Sequence, residues 1–412
     1  GYKIYSKIDD KMQSYVEEKF KDPNNLINTD SLRQWVDLDG DGEITDRESI
    51  PHVAFVALGY DGSVMATVGN WGEKKESLIT NYAVTDKRSI GSTIKPVSTY
   101  GLALETDHIH WGSVYQDKAV DKDEKGRPWP TNYSTGSDIS ISGTTNFIYY
   151  FLQRSYNTVP AQLCKELTPE AVFKFCTEKL GMDLIPPPGI PNDVALAPLS
   201  VGSLTEGLTL ENLVNAYIPY GNEGIYNEAH IITKIEDANH NVIYENNGNP
   251  RQAVSDETAW VMNRLLKNVI DNGTGMSAKL PNKVVAGKTG TTENWWDSAF
   301  VGLTRDFASG VTVGFQGYRD NQTLPTSFHA CDVWKTIIGD YAQEAYPDTG
   351  YDFDPVKSVI ESPWCTTTGK IASQGCPRSG MNGYWKSTNA PYCDGHWTAP
   401  ASTDWTDNSG NG

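Results

Sequence analysis

Two groups of short apolar segments, far apart along the chain, constrain its fold more than any other feature. The first is the fully apolar run Val53–Leu58, which a Gly-Tyr-Asp-Gly turn joins to Ser63–Val68 in the pattern of a β-hairpin. The second predicts three strands joined by short turns, at Lys283–Thr292, Ser298–Leu303 and Gly310–Phe315. Short connections make neighbouring strands antiparallel, so we expect a mainly antiparallel central sheet.

Helix-favouring segments lie between and around these strands. Their predicted bounds are 9–21, 92–105, 168–181, 210–216 and 256–270. The second segment contains Pro96, which a helix tolerates in its first turn, so this helix must begin near Ser92. Helices flanking a mainly antiparallel sheet predict an α+β fold built as an α/β/α sandwich.

The length and the net charge of the chain exclude some classes of function. The chain has 412 residues and a formal net charge of −18, from 34 basic and 52 acidic side chains. This excess of acid argues against broad binding to nucleic acid or to anionic lipid. The longest fully apolar run, Val53–Leu58, is too short to cross a bilayer. Because Gly1 opens directly into a strand-like segment, we expect the chain to be a fragment of a longer protein.

The first motif that carries chemistry is Ser92-Thr-Ile-Lys95, at the start of a predicted helix. Residues three apart share one helix face, with Cβ atoms roughly 5–6 Å apart, so the Lys95 amine can take the proton of the Ser92 hydroxyl. The positive end of the helix dipole favours negative charge beside the same serine. A chain of this composition contains such a pair by chance, so this motif indicates a catalytic site only in combination with other motifs.

Two further motifs follow in order. Ser155-Tyr-Asn157 offers a second hydroxyl and a carboxamide, and Lys288-Thr-Gly-Thr291 lies on a predicted strand. A strand that presents lysine and threonine beside glycine can pair with an extended peptide and bind its carboxylate. Ser387-Thr-Asn389 and Ser409-Gly-Asn411 repeat the second pattern, but they come after the third. The order S-x-x-K, S-x-N, K-T-G is therefore the specific signal.

In this order and context the motifs resemble those of the penicilloyl-serine transferases. The surrounding sequence is similar to the transpeptidase domain of class A penicillin-binding proteins. The likeness is carried by Lys87–Pro96, Arg154–Ala161, Val214–Tyr226 and Ala286–Asn294, with Gly1–Asp9 and Phe300–Gly302. It covers residues 1–35 and 51–345 and implies the β-lactamase/transpeptidase-like form of the sandwich.

The resemblance implies a catalytic role for five residues. Ser92 would attack the carbonyl between the two terminal D-alanines of a peptidoglycan stem peptide, with Lys95 as its general base. Ser155 would relay a proton to the departing D-alanine, and Lys288 would tune that hydroxyl electrostatically. Asn157 would hold the amide backbone of the substrate.

The resemblance also implies how the substrate is bound. Thr289, Gly290 and Thr291 would form the binding strand, with the terminal carboxylate on the two threonine hydroxyls. The backbone N–H groups of Ser92 and Thr291 would form the oxyanion hole.

The implied protein is an acyl transferase that needs no cofactor for catalysis. Its expected partners are the stem peptide, an acceptor amine and β-lactams, which would acylate Ser92 as substrate mimics. It would lie outside the cytoplasm at the surface of a Gram-positive bacterium, following a membrane anchor and a glycosyltransferase domain upstream of Gly1.

A D,D-carboxypeptidase and a β-lactam-binding sensor that does not cross-link are the alternative functions. Glu211-Asn-Leu-Val-Asn215 imitates the deacylating loop of class A β-lactamases, but it lies on what the pattern predicts to be an ordinary amphipathic helix.

The acidic loop Asp37–Glu48 predicts a second site. It matches the EF-hand calcium loop at every diagnostic position, with Gly42 at the sharp turn, and it departs from the usual penicillin-binding protein pattern. Six acids within this loop repel one another unless a cation is bound. We therefore predict a structural Ca²⁺ that fixes the entry helix to the sheet. The predicted ligands are Asp37, Asp39, Asp41, Glu43 through its backbone carbonyl, Thr45 through water, and Glu48.

The cysteines show no C-x-x-C pair and no zinc-ligand spacing. Cys365, Cys376 and Cys393 lie in a segment that, from residue 362 onward, has one Ile and no Leu, Val or Phe. Such a segment builds little core, so we expect disulfides among its cysteines in an oxidising compartment. Cys164 and Cys176 either pair or pack.

These observations divide the chain into four parts. Residues 1–50 form an N-terminal strand, helix and acidic loop, and residues 51–345 form the transpeptidase domain. Residues 346–361 are a linker to a Cys/Trp-rich C-terminal extension at 362–412. The extension is expected either to cap the domain or to bind cell-wall sugars through its Trp and Tyr side chains.

Overall fold

The computed structural model of the chain describes residues 1–38, 40–74, 80–133, 141–315, 322–346 and 350–396. Its strands are β1 (Lys3–Ser6), β2 (His52–Leu58), β3 (Val64–Val68), β4 (Val114–Gln116), β5 (Asp121–Lys122), β6 (Pro128–Trp129), β7 (Thr145–Phe147), β8 (Ile225–Tyr226), β9 (Ile232–Glu236), β10 (Val242–Glu245), β11 (Arg251–Gln252), β12 (Ala286–Thr291), β13 (Asp297–Leu303), β14 (Ala308–Gly314), β15 (Ile360–Cys365) and β16 (Arg378–Trp385).

The α-helices are α1 (Asp10–Phe20), α2 (Thr29–Leu32), α3 (Asp46–Ser49), α4 (Tyr82–Thr85), α5 (Gly101–Glu105), α6 (Ile148–Gln153), α7 (Thr158–Leu167), α8 (Pro169–Lys174), α9 (Leu196–Val201), α10 (Leu210–Tyr217), α11 (Asp256–Asn272) and α12 (Ala330–Glu344). Within the ranges that the structure describes, no helix has both the length and the apolar character needed to cross a bilayer.

The central sheet has five antiparallel strands in the order β12-β13-β14-β2-β3. The hairpin and the three later strands predicted from the sequence are confirmed, and β14 pairs with β2 to join the two groups. The strand that carries the K-T-G motif, β12, lies at one edge of this sheet. One side of β12 therefore pairs with β13 while the other faces the rest of the site.

Both faces of the sheet are covered, which explains why β2 is apolar at nearly every position. Val56 and Leu58 belong to a core on the face covered by α10, whereas Val53 and Phe55 belong to a second core on the face covered by α1 and α12. Side chains alternate between the faces of a strand, so a strand buried on both faces reads as a continuous apolar run. The predicted α+β fold, an α/β/α sandwich, is confirmed.

The predicted helix at 92–105 exists but changes its winding twice. A 3₁₀ turn at Gly91–Thr93 leads into a π turn at Pro96–Tyr100, and α5 follows directly. Pro96 has no N–H to donate to the preceding turn, so the regular helical hydrogen-bond ladder is interrupted there. The first turn thus places Ser92 and Lys95 at the beginning of a largely buried helical segment.

The C-terminal extension packs against the domain that contains the central sheet. Its hairpin β15–β16 places Trp364 and Trp385 in the same core as α10, and Trp364 contacts the rings of Trp111 and Tyr149. All six cysteines of the chain are free thiols, so the prediction of disulfides in the extension is wrong for this structure. Cys164 and Cys176 are both buried and pack rather than pair.

Candidate active site

The three motifs come together where the first helical turn meets the edge strand β12. Gly91 and Gly290 make this contact possible because neither carries a side chain. A Cβ added to Gly290 would lie 2.4 Å from the carbonyl oxygen of Ile90, and one added to Gly91 would lie 2.5 Å from that of Thr291. The backbones of Thr291 and of the residue before Ser92 are therefore in direct contact.

Lys95 is fully buried and lies at the centre of the site. Its Nζ donates hydrogen bonds to the Ser155 carbonyl oxygen and to Asn157 Oδ1, each at 2.7 Å, and lies 3.4 Å from Ser155 Oγ. Ser92 is partly exposed one helical turn before it. The S-x-x-K and S-x-N motifs are thus joined through a single amine.

Lys288 joins the third motif to the same hydroxyl. It is fully buried on β12, and its Nζ donates to Ser155 Oγ at 2.8 Å and to the carbonyl oxygen of Thr289 at 2.8 Å. Thr289 Oγ1 also shares a 2.6 Å hydrogen bond with Thr274 Oγ1. Ser155 Oγ therefore lies between two lysine amines that come from opposite sides of the site.

The backbone at Ser155 has a conformation that a serine rarely adopts. Its φ is +59°, in the left-handed region, at the end of α6. Non-glycine residues held there store strain, which surrounding contacts must offset. Here the Ser155 carbonyl accepts from Lys95 while its hydroxyl accepts from Lys288, so the strained turn is held by both amines.

The surroundings favour uncharged amines at both lysines. Burial, together with the nearby charge of Lys288, holds the pKa of Lys95 well below its usual range. Burial lowers the pKa of Lys288 to about 7. Two ammonium groups sharing one hydroxyl away from water would repel strongly, so at least one amine is neutral near pH 7.

Comparisons with known proteins identify the family of the chain. The family model of the penicillin-binding protein transpeptidase domain matches residues 53–325, which is most of the chain. The chain belongs to this family.

Known relatives extend the likeness beyond the family match. Penicillin-binding protein 1A of Clostridium tetani is 27% identical over 395 residues, covering 92% of this chain and 47% of the relative. The chain spans about half or less of the length of the curated relatives it matches first. In fold it is similar to penicillin-binding protein 1A of Haemophilus influenzae, with a TM-score of 0.70 and 18% identity over 95% of this chain and 73% of that one. It is also similar to the protein PonA1 of Mycobacterium tuberculosis solved in complex with penicillin V, with a TM-score of 0.64 and 20% identity over 86% of this chain and 88% of that one.

This transpeptidase domain also contains site residues that the motifs did not identify. Asn132 Oδ1 accepts the backbone N–H of Asn157 at 2.8 Å, and Asn132 Nδ2 donates to Asp117 Oδ1 at 2.7 Å. Asp117 Oδ1 also accepts from the Thr158 hydroxyl at 2.7 Å, and the Thr131 carbonyl accepts from Asn157 Nδ2. These residues lie in a stretch that looks like loop in the sequence, where nothing in their spacing signals that they hold Asn157.

In the acidic loop Asp37–Glu48, Asp39 falls outside the described residues. Gly42 has a φ of +88°, which suits its predicted place at the sharp turn. Asp37 accepts backbone N–H groups from Gly40 and Gly42, and Asp41 accepts that of Glu43. Among the described residues, the loop carboxylates do not converge on a common point.

Glu48 and Thr45 act as a helix cap in this loop. The Glu48 carboxylate accepts the backbone N–H and the hydroxyl of Thr45, each within hydrogen-bond distance, in a capping box that starts α3. It also accepts the backbone N–H of Leu38 at 2.9 Å. The donor set is entirely oxygen, which fits the preference of Ca²⁺.

Proposed function

We propose that this domain is a serine D,D-transpeptidase that cross-links peptidoglycan stem peptides outside the bacterial cytoplasm, through an acyl-enzyme on Ser92. One observation carries the proposal. Lys95, Ser155, Asn157 and Lys288 come from three separate segments and form one hydrogen-bonded cluster with both lysines buried, and Ser92 lies one helical turn before Lys95. Such a cluster provides a base, a proton relay and an amide-binding group around one nucleophile.

The first half-reaction would transfer the peptide to the enzyme. Ser92 Oγ forms a bond to the penultimate D-alanine carbonyl carbon as its proton passes to Lys95 Nζ. The backbone N–H groups of Ser92 and Thr291 stabilise the oxyanion. The C–N bond to the terminal D-alanine then breaks, and its nitrogen takes a proton from the Ser155 hydroxyl. Lys95, which now holds the proton from Ser92, returns a proton to Ser155.

The second half-reaction would reverse the sequence with a new nucleophile. An acceptor amine attacks the acyl carbon and gives its proton back through the same relay, and the ester bond to Ser92 breaks. Water in place of the amine would give a D,D-carboxypeptidase. The edge strand β12 supports peptide binding because its side facing the site is not paired with another strand of the central sheet.

The decisive first experiment is incubation with a penicillin followed by intact-protein mass spectrometry. We expect one stable adduct that maps to Ser92, that is lost in Ser92→Ala and that is retained in Ser31→Ala, which removes an exposed serine on α2. Rapid turnover with no adduct would instead indicate a β-lactamase and contradict the proposal.

The second experiment separates the alternatives. The protein is given a D-Ala-D-Ala pentapeptide with and without an acceptor amine, and the products are analysed. A cross-linked product supports the transpeptidase, and released D-alanine without coupling indicates a carboxypeptidase. Acylation by penicillin with neither product indicates a β-lactam-binding sensor.

We also propose that the loop Asp37–Glu48 binds a structural Ca²⁺. The EF-hand pattern supports it, as do the left-handed glycine at position six and the turn built around Asp37. Asp37, Asp39, Asp41 and Glu48 would supply carboxylate oxygens, with the Glu43 carbonyl and a water beside Thr45. The ion would neutralise the loop and stiffen the link between α2 and β2.

A further inference from the structure

A cluster of soft metal ligands lies in the C-terminal extension, far along the chain from the catalytic motifs. Among the residues that the structure describes, Cys365, Cys376, Cys393 and His396 form the one group able to hold a metal ion, with all four ligand atoms within 4.8 Å of one another. His396 Nε2 lies 3.1 Å from Cys365 Sγ and 3.5 Å from Cys393 Sγ. The transpeptidase chemistry uses none of these residues.

Two of the spacings in this cluster fit a tetrahedral site. Zinc bonds of about 2.3 Å to sulfur and about 2.0 Å to nitrogen put neighbouring ligand atoms about 3.5–3.8 Å apart. The two sulfur–nitrogen distances, 3.1 and 3.5 Å, lie close to that range. A disulfide would need two sulfurs about 2.05 Å apart, and it would leave a third cysteine and His396 without a function.

Two of the ligands, Cys365 and Cys393, are held by backbone hydrogen bonds to residues outside the cluster. The Cys365 N–H donates to the Lys370 carbonyl at 2.8 Å, and the Cys365 carbonyl accepts the N–H of Gly369 at 2.8 Å. Gly369 has a φ of +71°, so the chain turns tightly after the first ligand.

The later ligands are tied to the same turn. The Cys393 N–H donates to the Ile371 carbonyl at 2.9 Å, and the Cys393 carbonyl accepts the Ser373 hydroxyl at 2.6 Å. The Ser373 hydroxyl also lies 3.6 Å from Cys376 Sγ. The protein's own hydrogen bonds thus bring the ligands of three stretches of chain to one point.

In this extension a metal ion would supply the stability that a core of aliphatic side chains supplies elsewhere in the protein. From residue 362 onward the sequence has one Ile and no Leu, Val or Phe. Small segments without enough core gain their stability from disulfides or from a structural metal. The cluster begins at Cys365, directly after Trp364, whose ring packs on Tyr149 of α6.

We propose that Cys365, Cys376, Cys393 and His396 bind one Zn²⁺ ion in a closed Cys₃His site that fixes the extension in its packed conformation. Four protein ligands leave no open position for water or substrate, so the role is structural rather than catalytic. Because the ligands run from residue 365 to residue 396, the ion ties these two positions of the extension together.

Metal analysis of the full chain tests this assignment. The protein is purified under reducing conditions without chelator, supplied with zinc, desalted and measured by plasma mass spectrometry. We expect close to one zinc per chain, and at least about a tenfold loss in Cys376→Ser and in His396→Gln. Cys331→Ser is the matched control, since it removes a free thiol of α12 in the catalytic domain, and it should keep its zinc.

Two further measurements make the outcome decisive. Cobalt added to the metal-free chain should give the thiolate charge-transfer and tetrahedral absorption bands, and these should be absent in Cys376→Ser. Penicillin labelling of Ser92 in the same samples shows whether each variant is folded. Zinc-free wild-type protein that still labels with penicillin would overturn the proposal, as would zinc that stays in the folded variants or a native mass showing a disulfide among these cysteines.

Discussion

At the scale of single residues, the chemistry of this site depends on two lysines that cannot both be charged. Lys95 and Lys288 are fully buried, and both reach the hydroxyl of Ser155. A neutral amine on Lys95 can accept a proton from Ser92, which an ammonium group cannot do. Burial therefore turns a residue that is ordinarily an acid at neutral pH into a base.

The pH dependence of acylation should show that the charge of Lys288 lowers the pKa of Lys95. Acylation by a fluorescent penicillin should rise with pH as Lys95 loses its proton. In Lys288→Met the neighbouring charge is gone, so the pKa of Lys95 should be less depressed and the rising limb should move to higher pH. Lys279→Met removes an exposed lysine and should leave the profile in place. An unshifted profile in Lys288→Met would show that the two amines are not coupled.

The same lysine should make stability depend on pH. Lys288 titrates at about 7 when folded and at its usual, higher pKa when unfolded, so between these values the unfolded chain binds more protons. The free energy of unfolding should therefore increase as pH rises from about 7 toward about 10.4, the ordinary lysine value. Urea unfolding of the wild type and of Lys288→Met at the two ends of this window measures the difference. Equal slopes in the two proteins would contradict the lowered pKa.

At the scale of elements, the site depends on how closely β12 approaches the first helical turn. The contact occurs at Gly290 and Gly91, where an added Cβ would lie well inside normal contact distance of backbone atoms. It sets the separation between Thr291 on the strand and Ser92 on the helix. The contact thus requires the glycine of the K-T-G motif, because a side chain at that position would not fit.

Replacing Gly290 with Ala should separate these two elements. The new Cβ would meet the Ile90 carbonyl and the Thr93 methyl group, at 2.4 and 2.8 Å, so β12 must shift. We expect a loss of about 1–3 kcal/mol in stability and a fall in the penicillin acylation rate. Gly380→Ala on β16 is the control, because its Cβ would meet nothing within 4 Å. Equal acylation rates for the two variants would show that the close approach is not needed.

The elements also show what the sequence alone could predict. The five strands of the central sheet and the three motifs were predictable because each is contiguous and has its own local pattern. The support of Asn157 by Asn132 and Asp117 was not, because these residues come from an irregular stretch and meet only after folding. The π turn after Lys95 was missed for a different reason, since Pro96 was expected to lie in a regular first turn.

At the scale of the whole molecule, the two proposed metal sites differ in how they are encoded. The calcium loop is one continuous pattern, Asp37–Glu48, which can be recognised from the order of its residues alone. The zinc ligands are spread from Cys365 to His396 without a familiar spacing, so the sequence favoured disulfides. Both sites lie at the periphery of a catalytic domain whose own cores are apolar and continuous.

Calcium should stabilise the whole domain, because the acidic loop is tied to a distant part of the chain. Gln322 Nε2 donates to the Glu48 carbonyl at 2.7 Å, and the Thr323 N–H donates to the Gln34 side chain at 3.1 Å. These residues follow β14, so the loop connects the N-terminal helices to the region beyond the central sheet. An ion bound with a Kd of about 10⁻⁴–10⁻³ M adds about 1.4–2.7 kcal/mol at about 10 mM Ca²⁺.

This stabilisation should appear as a rise of a few degrees in the melting temperature when calcium replaces EDTA. Magnesium should give a smaller shift, because it demands a tighter octahedral site. The shift should vanish in Asp37→Asn combined with Asp41→Asn, since each change removes one carboxylate ligand and keeps most of the turn hydrogen bonding. Asp237→Asn is the control, because Asp237 builds an exposed acidic turn through Asn239 and Asn241 without an EF-hand pattern, and it should preserve the shift. Coincident melts of the wild type in EDTA and in excess calcium would refute the site, because a carboxylate cluster that binds the ion only in the folded state must raise the stability of that state.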